Sequence, residues 1–301
     1  LARASRTCRR IFLGGARVNE GSSTSSCGRG AVGFVVLTWN SHAYVDDCVR
    51  SILGVSSRPI RLYVVDNGSS DGTLDVLRGF ARRDPRVWLH EAPRNLGTTV
   101  SRNIALGSLA DDVEYVCVLD SDTVVNEEAI EALVSLVDSD PAIGIAGPTM
   151  KDSSGTVQLS GRNLPTLGIK LRKACPIASV SERGGRMERP ATAVTDGVQD
   201  VGYLLSACWL MRRDVLDEVG LLDERIFYAP EDVDYCIRVR RTGFRVVRCF
   251  GATITHEYQR ISKKRLLSKT NLEHVRGLAY FFRKHGYLFD ARKALRLKEC
   301  I

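Results

Sequence analysis

The chain lacks any apolar run approaching the roughly 18 consecutive residues that a membrane-spanning helix needs. Apolar runs such as Val35-Val36-Leu37 and Val116-Cys117-Val118-Leu119 have strand length instead. It also lacks a CxxC pair: nine cysteines lie scattered at 8, 27, 48, 117, 175, 208, 236, 249 and 300. That spacing and the odd count indicate neither a disulfide framework nor a zinc site. Cys117, Cys208 and Cys249 sit in apolar stretches, where cysteine behaves as a small hydrophobe. A reducing cytoplasm is the setting these cysteines suit. No GxxxxGK[ST] occurs, which removes a P-loop. The turn after the first expected strand is Thr38-Trp39-Asn40-Ser41 rather than GxGxxG, which disfavours a redox dinucleotide fold. No internal repeat is present. At 44% hydrophobic and 26% charged over 301 residues, the composition excludes wholesale disorder and leaves room for one large domain or two modest ones.

The net charge of +8 is unevenly spread. Residues 1–30 carry six Arg and one Glu, and residues 257–301 carry twelve Lys/Arg against four Asp/Glu. The body between them is therefore mildly acidic, which argues against nucleic acid as a partner. The basic ends suit either a solvated surface or contact with an anionic membrane surface. Residues 1–30 are rich in Arg, Ser and Gly, and Ile11-Phe12-Leu13 is too short for a signal-peptide apolar region. The segment reads as a disordered basic extension, with the composition of a transit peptide. A domain at 31–260 and a basic helical tail at 261–301 are expected to follow.

Val32–Thr38 predicts a buried strand, with part of its helix at Asp46–Leu53. Arg61–Asp66 is a second strand, broken by the turn signal Asn67-Gly68-Ser69-Ser70-Asp71-Gly72. Helix is expected over Thr73–Arg82, strand over Val87–Glu91, helix from Thr98 through Ala105, and strand over Tyr115–Asp120. Glu127–Val137 has helical spacing at Ile130, Leu133, Val134 and Val137. This alternation predicts a parallel sheet with crossover helices. From about residue 150 the rhythm changes. Residues 151–200 predict loops and short antiparallel strands, Val215–Val219 and Val233–Thr242 helices, and Arg245–Ala252 a strand. Over 271–284, Leu272, Val275, Leu278, Ala279 and Phe282 predict one apolar helical face.

In open α/β sheets, ligands bind outside the carboxyl ends of the strands. Those ends carry Thr38-Trp39-Asn40, Asp66 to Asp71, Asn95-Leu96-Gly97 and Asp120-Ser121-Asp122, a set suited to a polar, anionic ligand. Asp66 could accept the ring N–H of uracil or thymine, or cap the next helix as a turn residue. Asp120 and Asp122 follow a buried strand, where two carboxylates can converge on a hard cation such as Mg²⁺ or Mn²⁺. Glu231-Asp232-Val233-Asp234 supplies either acids favoured in a helix first turn or a positioned general base. An acid there should stay ionised at neutral pH. His256 ends the run Val246–Thr255 and reads as a structural histidine or a ligand.

Taken in order, these segments resemble family 2 glycosyltransferases. The resemblance rests on Val35 to Asn40, Val65 to Thr73, Asn95-Leu96-Gly97 with Arg102-Asn103, Leu119 to Asp122, Phe227 to Asp234, Gly243 and His256. It covers roughly Gly33 to His256, and the Arg276–His285 helix is similar to the tail of the rhamnosyltransferase-like branch. The resemblance implies an α/β GT-A fold: a Rossmann-like, mainly parallel sheet with a smaller mixed acceptor-side region. It implies inverting transfer from a nucleotide-diphospho-sugar, dTDP-rhamnose or a UDP-sugar, to a glycan or lipid-linked acceptor in cell-surface polysaccharide synthesis. Thr38 and Asp66 would hold base and ribose, with Asn40, Asn67, Asn95 and Gly97 beside them. Arg102 would meet the nucleotide or its phosphates, Asp120 the ribose and metal, and Asp122 and His256 the metal. Asp232 would be the base, with Glu231 beside it contacting acceptor or backbone, and Asp234 structural. The cysteine usage and the basic C-terminal tail together lead to the expectation of a cytoplasmic protein that can sit peripherally on the inner face of the cell membrane. Residues 151–200 match nothing in the pattern.

Such a transfer needs a cation on the departing diphosphate, a base opposite it, and walls for the sugar. Trp39, Tyr203, Trp209, Phe227 and Tyr228 could line the sugar or fill the core. Two other readings stay open. A catalytically silent nucleotide-sugar-binding or scaffold protein would be expected to have lost Asp122, Asp232 or His256. A nucleotidyltransferase would want a Gly-rich, basic loop after the first strand, which Thr38 to Ala43 does not provide.

Overall fold

The computed structural model describes residues 29–257 and 269–296. Most of the expected basic extension, and parts of the expected tail at both its ends, lie outside the described residues. The first half alternates regularly: β1 Ala31–Thr38, α1 Val45–Leu53, β2 Ile60–Asp66, α2 Thr73–Arg83, β3 Val87–Glu91, α3 Thr98–Leu106 and β4 Val113–Asp120. Then follow β5 Thr123–Val124, α4 Glu127–Ser139, β6 Ile143–Lys151, β7 Val157–Gln158, β8 Gly161–Arg162, α5 Leu167–Ala174 and α6 Ala178–Met187. The chain continues through β9 Val194–Thr195, β10 Val198–Asp200, β11 Tyr203–Leu204, β12 Cys208–Arg212, α7 Arg213–Val219, α8 Glu231–Arg241 and β13 Arg245–His256. It closes with α9 Lys269–His285 and a 3₁₀ turn at Ala291–Leu295.

The main sheet runs β3-β2-β1-β4-β12-β6-β13-β10-β9. β1 is parallel to both β2 and β4, and β13 is parallel to β6; β12 runs antiparallel between β4 and β6. Alternation along β1 sends Val32, Phe34 and Val36 to one face and Val35 to the other, so both faces are apolar. On the first face, α1 buries Val45, Cys48, Val49 and Ile52, a spacing of three, four and seven that puts them on one helical stripe. The Asn126 side chain accepts the Ala129 N–H and starts α4. On the second face, Trp209 stacks on Tyr235 from α8.

Several elements depart from expectation. β6 and β12 complete the sheet although Gly147-Pro148 interrupts one and no alternation marks the other. Residues 151–200 hold two helices, α5 and α6, besides short strands. α8 begins at Glu231 rather than Val233, because Pro230 occupies the position before it and Asp234 N–H already bonds to the Pro230 carbonyl. The apolar face of α9 is rotated from the one expected. Leu272, Val275 and Ala279 are exposed, while Gly277, Phe281, Phe282 and His285 are buried. Phe281, Phe282 and Tyr287 join the second core, at about 1.5–3 kcal/mol per buried side chain, so the helix is held against the body. At Gly277 the helix touches the Ala229 carbonyl so closely that a Cβ would collide with it.

Candidate active site

Parallel register brings the strand ends together. Thr38 lies opposite Asp66, and Leu37 opposite Asp120. The buried Thr38 hydroxyl donates to Asp66 Oδ1 at 3.0 Å, and Ser69 N–H donates to Oδ2 at 3.0 Å. Asn40 sits at φ 51°, a left-handed conformation that Asn tolerates better than most residues. Its N–H donates to the Ser69 hydroxyl, and its side-chain oxygen accepts from Ser70 N–H. The 67–72 turn is thereby tied to the end of β1.

Asn67 and Asn95 spend their side chains on the scaffold. Asn67 accepts from Leu96 N–H and the Ser101 hydroxyl and donates to Asn95 Oδ1, which also accepts from Gly97 N–H. Gly97 has φ +88°, and a Cβ there would collide with the Phe227 carbonyl oxygen. Thr98 N–H donates to that same carbonyl at 2.6 Å, which docks the start of α3 on the segment leading to α8.

Arg102, expected to meet the nucleotide or its phosphates, has its guanidinium taken up by protein groups. Its side chain is 1% exposed. One terminal nitrogen donates to Asp120 Oδ1 at 2.6 Å and to the Ser206 carbonyl at 3.2 Å; the other donates to Glu231 Oε1 at 3.3 Å. Ser206 also donates its hydroxyl to Glu231 at 3.0 Å. The guanidinium lies beneath the site and binds the carboxylate ending β4 to the first acid of α8.

Asp120, Asp122 and His256 offer one ligand atom each within 4.8 Å of one another. β13 pairs with β5 immediately after the acids, His256 opposite Thr123, and this places the ring. His256 Nε2 faces Asp122 Oδ1 at 3.5 Å. The ring is set by Gln158, which sequence reasoning missed. Gln158 donates its amide N–H to the His256 carbonyl at 2.7 Å, so its oxygen must be the atom 2.7 Å from Nδ1. Nδ1 therefore carries the proton, and Nε2 turns its lone pair to the carboxylates. Burial also pushes the His256 pKa down, which favours the neutral ligand form. Burial and the nearby Asp120 push Asp122 up. A lone pair and two crowded carboxylates facing one another suit a divalent cation.

At α8, burial pushes Asp232 above the usual carboxylate range, opposed by Val233 N–H, Lys170, Arg162 and Arg102. Burial and Asp232 raise Glu231 as well. The dipole argument for two fully ionised acids is thus outweighed by desolvation. Asp234 points elsewhere. Burial alone would raise it, but the His285 hydrogen bond and Lys284 hold it low, at 2.8 and 2.6 Å. Among the aromatics, Tyr203 and Trp209 are core, whereas Trp39, Phe227 and Tyr228 are exposed.

Among the described residues, no helix is long and apolar enough to cross a membrane. The chain matches the family described as glycosyltransferase like family 2 over residues 29–277. It is 31% identical over 241 residues to an N-acetylglucosaminyl-diphospho-decaprenol L-rhamnosyltransferase of Mycobacterium tuberculosis, covering 74% of each chain. A mannosyltransferase of Pyrobaculum calidifontis, solved with GDP-Man and Mn²⁺, superposes with a TM-score of 0.58 at 17% identity, over 86% of this chain and 64% of that one. TarS 1–349 of S. aureus with UDP-GlcNAc gives 0.56 at 19% identity, over 89% and 70%. These likenesses give the GT-A fold. The family match spans most of the chain, and the protein belongs to glycosyltransferase family 2.

Proposed function

We propose that the protein transfers a sugar, with inversion, from dTDP-rhamnose or a UDP-sugar to a hydroxyl of a lipid-linked or glycan acceptor in cell-surface polysaccharide synthesis. The observation that carries this reading is the Arg102 guanidinium, which binds Asp120 and Glu231 together and sets the donor-side carboxylates beside the start of α8. The M. tuberculosis relative, by its name a rhamnosyltransferase acting on a diphospho-decaprenol sugar, supports rhamnose and a lipid diphosphate over other choices.

In this reading Asp66 and Thr38 receive the base and ribose, and Asn40, Asn67, Asn95 and Gly97 build the loops around them. Asp120, reaching the ribose, would join Asp122 and His256 in holding Mg²⁺ or Mn²⁺. When bound, that ion supplies positive charge to the departing nucleotide diphosphate. Asp232 accepts the proton of the acceptor hydroxyl as its oxygen bonds to the anomeric carbon, on the face opposite the breaking bond to the diphosphate. A single displacement inverts that carbon. Burial raises Asp232 and so strengthens its carboxylate as a base, while Val233 N–H, Lys170 and Arg162 pull the other way and favour the ionised form. Glu231 is held by Arg102 and Ser206 and orients the acceptor. Trp39, Phe227 and Tyr228 offer apolar faces to the sugar ring.

A donor screen by nucleotide diphosphate release with Mg²⁺ or Mn²⁺ tests the reading. Binding of a nucleotide-sugar with no release under any acceptor would instead make the protein a silent binder. A lipid-linked acceptor also implies work at the inner face of a membrane, on the cytoplasmic side, with basic residues toward anionic lipid. Flotation with and without anionic lipid tests this. Tyr287 and Ala294 are core residues, so charge reversal of Arg292 and Lys293 is a better perturbation than truncation.

A further inference from the structure

The region that matches no sequence pattern, β8 with α5 and α6, contains a charge cluster that the donor chemistry does not use. Glu188, at the end of α6, has a side chain only 4% exposed. Its Oε2 accepts from Arg162 at 3.0 Å and from Lys173 at 2.6 Å, and Lys170 lies 4.0 Å from Oε1. Three cations thus share one buried carboxylate. The excess is not confined to these pairs. An open cleft lined by Leu159, Arg162, Lys173, Glu182, Gly185, Arg186, Glu188 and Arg189 carries four cations against two acids. Lys170 and Arg162 also act electrostatically on Asp232, so the cluster borders the proposed base. It is built on β8, α5 and α6, which carry none of Asp120, Asp122 and His256, and so is a separate group from the proposed cation site. On the same helix pair Leu171 and Met187 are 61% and 41% exposed, and Ile177, just ahead of α6, is 59% exposed.

We infer that this cleft receives the phosphate or diphosphate of an isoprenoid-linked acceptor, presenting its sugar hydroxyl to Asp232. The inference rests on the proposed transferase reading and names the acceptor subsite within it. Arg186, 67% exposed, and Lys173, 37% exposed, would contact the anion, Lys173 sharing its ammonium with Glu188, which also holds Arg162. Charge-assisted contacts of this kind exceed neutral ones in strength, and the exposed apolar residues suit the first isoprene units.

The test is direct binding of farnesyl diphosphate to the full chain in EDTA without donor, beside inorganic diphosphate, farnesol and phosphatidylglycerol vesicles. Farnesyl diphosphate is expected to bind best, and Lys173→Gln/Arg186→Ala to weaken it about tenfold or more. If that variant loses its thermal transition, Arg186→Ala/Arg189→Ala at exposed positions takes its place. Unchanged farnesyl diphosphate affinity in a folded variant overturns the site. Equal binding of inorganic diphosphate overturns the lipid assignment, and equal dependence of vesicle binding on the same residues makes the cleft a membrane patch instead. Nucleotide diphosphate release by the unmodified protein is scored separately, so failure of the transferase reading is distinguishable from failure of this one.

Discussion

Arg102→Leu removes the cation that Asp120 and Glu231 share. Three hydrogen bonds disappear, and Glu231 is left 8% exposed with a neighbouring acid. Deleting one partner of a buried ion pair costs about 3–5 kcal/mol. Asp120 is 40% exposed, so solvent screens its share and the low end, about 3 kcal/mol, is expected. In a domain of this size that corresponds to a Tm lower by roughly 6–12 °C. Adding Glu231→Gln removes the stranded charge and should recover about 1–2 kcal/mol. The pH dependence has a definite sign. Burial raises Glu231, so the folded state binds its proton more tightly than the unfolded chain does. The stability it contributes is present below the ordinary glutamate pKa and lost as pH rises through the raised value. Arg102 pulls that value, about 8, down, so its loss raises it further; the two folded states then differ in protonation only above about 8, and the deficit of Arg102→Leu should widen from about pH 7 to about pH 9. Thermal and urea melts of both variants at the two pH values measure this. Identical melting of the single and double variants at both would refute the coupling.

Asp122→Asn should lower Mn²⁺ affinity and cut turnover by orders of magnitude without unfolding, and full activity in EDTA would reject the metal role. Gln158→Leu should weaken Mn²⁺ binding about 10–100-fold by electron paramagnetic resonance, since nothing then holds the proton on Nδ1; wild-type affinity would show that Gln158 does not position His256. Asp232→Asn should collapse kcat with donor affinity nearly intact, and a defect mainly in donor binding would mean the base is misassigned. Asp234→Asn should instead cost stability, about 3 kcal/mol, because it removes the buried charge that Arg238, Lys284 and His285 share, although Lys284 keeps Asp223, while turnover per folded molecule persists.

Local pattern was enough for the first half of the fold. Apolar strand-length runs, the 67–72 turn and helical spacing at Ile130 to Val137 are short-range signals, and the structure places β1 to β4 and α1 to α4 where they point. The sequence could set Thr38, Asp66, Asp120 and Asp122 near one another because parallel strands put their carboxyl ends, and the polar residues there, at one edge of the sheet; His256 was grouped with them only through the family resemblance. What the order of residues could not express is pairing across distance. Gln158 meets His256 from 98 positions away, and Arg102 meets Glu231 from 129 away. Neither carries a local signal, because a single polar residue in a weakly patterned segment looks like any surface residue until the sheet closes. The same holds for the α9 face. Helical spacing favoured Leu272 and Val275, but contact with the Ala229 carbonyl requires Gly277 to face inward, and the helix rotates to bury Phe281 and Phe282. Chain chemistry alone decided which groups could act; tertiary packing decided which were brought together, which were spent as supports, and how far burial shifted the charges of Glu231 and Asp232.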